Sequence, residues 1–243
     1  MEVSQTAAAV AKELKKLGTS SKAKASAWFF KTGKGQYGHG DVFIGVTVPE
    51  QRKIARRFTD LPLTEIEKLL QSKIHECRLT ALIILVRQYD RGSSRSHAEI
   101  VRLYLRNRRR VNNWDLVDSS APQILGRHLL NRDRRILYKL ARSNNVWDQR
   151  IAILSTQAFI RKNDFTDTLK ISELLLQNRH DLIHKAVGWM LREVGDRSLK
   201  TEEVFLKKHA LVMPRVMLRY AIEKFPENKR KKFLQKVRYT VTS

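Results

Sequence analysis

The chain has 243 residues, 42% hydrophobic and 30% charged, which suits packed cores and excludes a disordered tail. Its longest apolar run, "ALIILV" at 81–86, falls well short of the roughly 18 residues that span a membrane, and "MEVSQTAAAVAKEL" lacks the basic start and apolar stretch of a signal peptide. With 48 Lys and Arg against 24 Asp and Glu, the formal charge is +24, and one cysteine, Cys77, excludes an internal disulfide framework.

These features predict a cytoplasmic protein with no membrane partner. A charge of that size repels itself unless a polyanion is the working partner, so nucleic acid is expected. The cations are grouped as "RKIARR" at 52–57, "RNRRR" at 106–110, "RDRR" at 132–135 and "KRKK" at 229–232. Such spacing predicts a long basic surface stripe, with Arg52, Arg109 and Arg110 as candidate phosphate contacts.

In chain order, helix-like "AKASAWFF" leads into "KTGKGQYGHGDVFIGVTVP" at 31–49. Gly33, Gly35 and Gly38 formally match G-x-G-x-x-G. A dinucleotide loop, however, needs a strand before it and a helix after it, and here the order is reversed. The segment is expected to be a flexible loop with a short extended piece within 31–48, where Lys31, Lys34 and His39 can meet phosphate. Beyond it nearly everything reads as helix. Apolar residues recur at helical spacing over 65–72, 134–142 and 151–159. The clearest case is 181–195, with Ile183, Ala186, Val187, Met190, Leu191 and Val194 on one face. Pro49, Pro122 and Pro214 sit where a first helical turn accepts proline.

The helices come in pairs, and the second members resemble one another: "ECRLTALIILVRQY", "WDQRIAILSTQAFI", "DLIHKAVGWMLREV" and "MPRVMLRYAIEKF". Arg78, Arg150, Lys185 and Arg215 mark a shared basic position at intervals of 72, 35 and 30 residues. A degenerate period in the thirties is what stacked helix pairs produce. The expected fold is all-α: a superhelical solenoid of HEAT-like helix pairs with a concave basic face, forming a single domain over 1–243. An irregular helical bundle is the alternative.

No common enzyme motif is present. His180 and His184 stand at chelating spacing but lack a third ligand, and His75 and Cys77 are weaker still, so no metal or cofactor is expected. Two tryptophans are more informative. At about 100° per residue, Trp189 falls about 130° from the centre of the apolar face of 181–195, between Lys185 and Arg192, two further candidate DNA contacts. Packing on a neighbouring repeat would explain it equally well. In "NNWDLVDSSA", Trp114 and Asp118 share one face at i, i+4, while Leu116 and Val117 take the other. Two carboxylates directly after an arginine run are puzzling if the partner is purely anionic. Helix capping by Asp118, Ser119 or Ser120 is the plain alternative.

"NNWDLVDSSAP", "VWDQRIAIL" and "HKAVGWMLRE" resemble the DNA alkylation repair family, the AlkD-like DNA glycosylases. "DVFIGVTVPEQRKIARRF" is similar to that family's F-x-G-V-x-x-P-x-x-R element, and the resemblance runs from about residue 28 to 225. It implies an all-helical HEAT-like fold holding double-stranded DNA with alkylated bases. It also implies excision of cationic N3- or N7-alkyl purines by a cofactor-free monomer. Trp114, Asp118 and Trp189 match the three residues that line the lesion's deoxyribose, and Arg150 matches a DNA-backbone contact. Asn113 stands where some relatives carry a second tryptophan, Ile151 replaces an alanine, and the glycine loop is absent from some members. Some relatives lack the triad and bind DNA without cutting it, so a non-catalytic protein for branched or distorted DNA is the alternative. A HEAT-like adaptor for an acidic protein is a third reading.

Overall fold

Apolar residues recurring every three to four positions become the buried faces of helices. The computed structural model describes residues 4–239 and is all-helical. Among the described residues the extended piece expected within 31–48 reduces to a single parallel bridge, Val42 to Ile74. No described helix is long and apolar enough to cross a membrane. The helices gather into two units, Met1–His128 and Leu129–Ser243.

The first unit contains α1 (Ala7–Leu17), α2 (Ser20–Phe29), α3 (Val48–Arg57), α4 (Leu63–Leu70), α5 (His75–Arg91), α6 (Ser94–Arg106) and α7 (Trp114–Asp118). Helix α5 is buried almost all round its first three turns, as a central core helix must be, and α3 and α4 pack on it. Leu79, Leu82, Ile84 and Leu85 are each buried, a stabilisation of about 1.5–3 kcal/mol per side chain. Helix α3 starts where Glu50 Oε2 accepts from the Thr47 amide at 2.8 Å and its hydroxyl at 2.6 Å, with Pro49 in the first turn as expected.

The F-x-G-V element is a strap laid across the start of α5. The buried carboxylate of Glu76 accepts the amides of Ile44 at 3.0 Å and Gly45 at 2.8 Å. The His75 amide donates to the Val42 carbonyl at 2.8 Å, and the Val42 amide to the Lys73 carbonyl at 3.2 Å. Gly45 has φ +81°, and a Cβ there would collide with the backbone of Thr19 and Ala23. Both facts require glycine.

The second unit contains α8 (Arg135–Ala141), α9 (Val146–Ser155), α10 (Gln157–Ile160), α11 (Thr166–Leu175), α12 (Asp181–Arg197), α13 (Leu199–His209), α14 (Arg215–Ala221) and α15 (Glu227–Tyr239). Helix α12 buries the six apolar residues expected of it and packs against α9, α13 and α14. A Cβ at Gly188 would strike the Met217 carbonyl and the Tyr220 side chain, so this glycine lets α12 and α14 approach closely. Pro214 sits just ahead of α14, at its N-cap, rather than inside the first turn.

The shared basic position of the helix pairs serves the fold. Arg78 donates to the carbonyls of Ser72 and Lys73, Arg150 to Leu182 and Arg215 to Leu234. Lys185 instead pairs with Asp181 at 2.7 Å. The two spaced histidines serve local backbone needs: His180 accepts the Leu182 amide at α12's start, and His184 Nε2 bonds the Asn178 carbonyl.

Glu202, buried on α13, has an Oε1 that accepts no hydrogen bond among the described residues. Burial, reinforced by the nearby carboxylates of Asp196 and Glu203, pushes its pKa up to about 8. A carboxyl held protonated by the fold contributes stability that is fully present below its ordinary value and is lost as pH rises through the folded one. Stability should therefore decline between about pH 5 and pH 8, and Glu202→Gln should flatten that decline in urea midpoints taken across the range.

Candidate functional site

Five residues make a helix only if both ends are tied, and α7 is tied at both. Asn113 caps its start, its Oδ1 accepting the Trp114 amide at 2.8 Å. Asp115 Oδ1 accepts the Leu116 amide at 2.9 Å. At the far end the Ser119 and Ser120 hydroxyls donate to the carbonyls of Asp115 and Leu116 at 2.7 and 2.5 Å. Leu116 and Val117 are fully buried, as their side of the helix predicted. Both serines thus cap the end of α7. The π-helical turn that follows, Pro122–Gly126, has Ala121 at its N-cap and no side-chain cap bond, with Pro122 in its first turn. Trp114 and Asp118 remain half-buried on the other face, one turn apart.

The Trp114 indole is held by rings that are remote in sequence. Phe30 stacks on it at 5.2 Å with 21° between planes, and Phe29 meets it edge-on at 5.9 Å. Phe30 also stacks on Phe43, which stacks on His75 at 4.5 Å. His75 is buried between two carboxylates, with Nδ1 3.1 Å from Asp41 Oδ2 and Nε2 2.8 Å from Asp115 Oδ2. Arg78 closes the network by donating to Asp41 Oδ1 at 2.6 Å, and Asn113 Nδ2 donates to Asp41 Oδ2 at 3.3 Å. Burial lowers the His75 pKa, but the hydrogen bonds from Asp115 and Asp41 outweigh it and leave the pKa raised. Burial alone would raise that of Asp41, yet His75 and Arg78 hold it below the ordinary value. One of the two puzzling carboxylates, Asp115, thus answers to an internal histidine.

Sequence reading did not find Asp41, Phe30 or Phe43, and it weighed His75 only as a weak metal ligand. Asp41 and Asp115 lie 34 and 40 residues from His75, so no local spacing connects them. An Asn-x-Trp-Asp echo in "NNVWDQR" does not make an equivalent site. There Asn145 caps α9 by accepting the Trp147 and Asp148 amides, but Trp147 is buried in the core.

Trp189, on α12 in the second unit, is half-buried and donates Nε1–H to Glu193 Oε1 at 2.9 Å. Its flanking cations, Lys185 and Arg192, were expected to meet phosphate. Lys185 pairs with Asp181 and Arg192 with Glu223, each at close range, so both are engaged within the protein. Arg150 is buried and its guanidinium donates to the Leu182 carbonyl at 2.6 Å, a position unlike the surface contact expected. Arg110 also departs from expectation, donating to the Leu70, Gln71 and Ser72 carbonyls at the end of α4. Arg52, Lys34 and Arg109 are exposed, as a phosphate contact requires.

The basic clusters are less open than their composition suggests. Arg106 grips Glu67 through two nitrogens, Arg134 bridges Asp164 and Asp167 while lying over Phe159, and Lys229 pairs with Glu203. Trp28, by contrast, is 76% exposed, with Lys31 Nζ 5.1 Å from its ring centre.

The family model for DNA alkylation repair enzyme matches residues 10–225. A solved structure described as a predicted DNA alkylation repair enzyme from Enterococcus faecalis shares the fold. Its TM-score is 0.67 over 86% of this chain and 97% of that one, at 18% identity. No curated protein matches. A match over so much of the length makes the chain a member of the DNA alkylation repair enzyme family.

Proposed function

We propose that the protein is a monofunctional DNA glycosylase that removes cationic N3- or N7-alkyl purines from double-stranded DNA, acting as a monomer without a cofactor. The observation that carries this reading is the pairing of a half-buried indole, Trp114, with a half-buried carboxylate, Asp118, one turn apart on a chain of charge +24. HEAT-like stacking of helix pairs within each unit accompanies the proposal.

The chemistry suits those groups. An alkylated purine carries a positive charge that weakens its bond to deoxyribose. As that bond breaks, the electron pair leaves with the base, which becomes neutral, and positive charge moves to the sugar. A carboxylate beside C1′ stabilises charge that exists only in the transition state, and such a differential is what accelerates a reaction. Asp118 would also orient the attacking water, whose oxygen bonds C1′ while its proton passes to solvent. An indole face attracts a cationic nucleotide by about 0.5–2 kcal/mol. The family resemblance carries Trp189 into the same reaction. Exposed cations such as Arg52, Lys34 and Arg109 would meet phosphate, and the acidic-aromatic spot would meet the cationic lesion.

Incubation with duplex DNA containing N7-methylguanine or N3-methyladenine should release free base, measured by chromatography. Protein that binds such DNA tightly and releases nothing would overturn the glycosylase reading and favour a non-catalytic protein for distorted DNA.

A further inference from the structure

A five-residue helix has almost no stability of its own in water, so the orientation of Trp114 and Asp118 must be set from outside α7. We infer that His75, as a doubly protonated imidazolium, is the positioning residue that sets both side chains. Its ring nitrogens face Asp41 and Asp115, and carboxylate oxygens only accept, so each nitrogen must carry a hydrogen. The ring acts on α7 by two routes. One is the 2.8 Å bond to Asp115 in the helix's first turn. The other runs through Phe30, which contacts His75 at 5.0 Å and stacks on Trp114 at 5.2 Å.

The charges around the ring balance. Asp41 approaches from the strap and Asp115 from α7, while Arg78 on the ring's own helix neutralises Asp41. Arg110 also feels Asp41's field. The His75 side chain is only 2% exposed, and Phe30 and Phe43 pack on it, so the cation is shielded from solvent exchange by aromatic surface. Removing the second proton costs one of the two carboxylate bonds, so His75 loses its hold on either the strap or α7. The network thereby explains why the family-like W-D pair needs its aspartate: Asp115 is the handle by which Trp114 is held.

The role of His75 in base release rests on the glycosylase reading; its hold on Trp114 does not. The test uses the full chain with His75→Gln, Asp115→Asn and the double variant. Trp114 emission is isolated as the difference between each protein and its Trp114→Phe counterpart. Nitrogen NMR of the wild-type imidazole at pH 7 should show both ring nitrogens protonated. His75→Gln should make Trp114 about threefold more accessible to acrylamide. It should lower the single-turnover rate of base release about tenfold, with DNA affinity within about twofold of wild type.

Asp115→Asn should do the same, and the double variant should be no worse than either single change, because both remove one tie. The wild-type rate should fall as pH rises through the His75 pKa, and His75→Gln should lack that fall. Wild-type Trp114 accessibility together with a wild-type rate in His75→Gln, or a neutral imidazole at pH 7, would overturn the inference. If His75→Gln does not fold, Asp115→Asn decides by the same readouts. If the wild type releases no base, the glycosylase reading fails, while quenching and NMR still decide the role of His75.

Discussion

Asp118→Asn should lower base release from N7-methylguanine DNA by on the order of 10²–10³-fold, the usual cost of removing a group aimed at transition-state charge. The substitution keeps the side chain's shape, removes its negative charge and replaces one acceptor oxygen with an NH2 donor. The side chain is half-buried on α7, which keeps it partly screened from water and strengthens its field. Ground-state DNA binding is dominated by phosphate, so affinity should stay within about twofold. Single-turnover release with saturating enzyme separates the two quantities. A loss below about threefold would mean that Asp118 carries no developing charge. Comparison with Asp115→Asn is informative, because Asp115 is committed to His75 and acts on the site only through that bond.

Arg78→Ala should destabilise the first unit by about 3–5 kcal/mol, the range for breaking a buried ion pair from one side. The Arg78 side chain is 2% exposed and that of Asp41 4%. The guanidinium also donates to the Ser72 and Lys73 carbonyls, so its loss removes one buried donor from each of them and from the Asp41 carboxylate. Urea unfolding followed by circular dichroism measures the loss. The pH dependence has a definite sign. Asp41 is held below its ordinary pKa, so its contribution is present above that ordinary value and is lost as pH falls through the folded one. Without Arg78 the folded pKa moves up, and acid unfolding should begin at higher pH. An unchanged acid transition would show that Arg78 does not support Asp41.

Helices were legible wherever apolar residues repeat at 3.6, because burial of one face follows directly from that repeat. Helix α12 is the clear case, and the off-face placement of Trp189 could be read from the same wheel. Charge was less informative. Runs such as 106–110 and 132–135 look like an open stripe in one dimension. Folding supplies Glu67, Asp164, Asp167 and several backbone carbonyls as partners, and these arrive from distant positions. Arg110 and Arg150 illustrate how the fold itself can engage a cation. Both sit in basic or motif positions, and both spend their donors on carbonyls inside the protein. Trp114 and Trp147 share an Asn-capped Trp-Asp start, yet one is half-buried and the other buried. Local sequence sets the cap but not what packs against the ring.

By itself the sequence determined the all-helical class, the face of α7 shared by Trp114 and Asp118, and membership in an alkylation repair family. Each of these depends on residue order within about one or two helical turns, or on motifs read as strings. Only tertiary structure decided that Asp115 belongs to His75, that Phe30 backs the Trp114 indole, and that Glu76 gathers the strap's amides. Those contacts join residues 31 to 84 positions apart. Whether a charge meets a partner or solvent depends on where the chain returns, and periodicity carries no record of that.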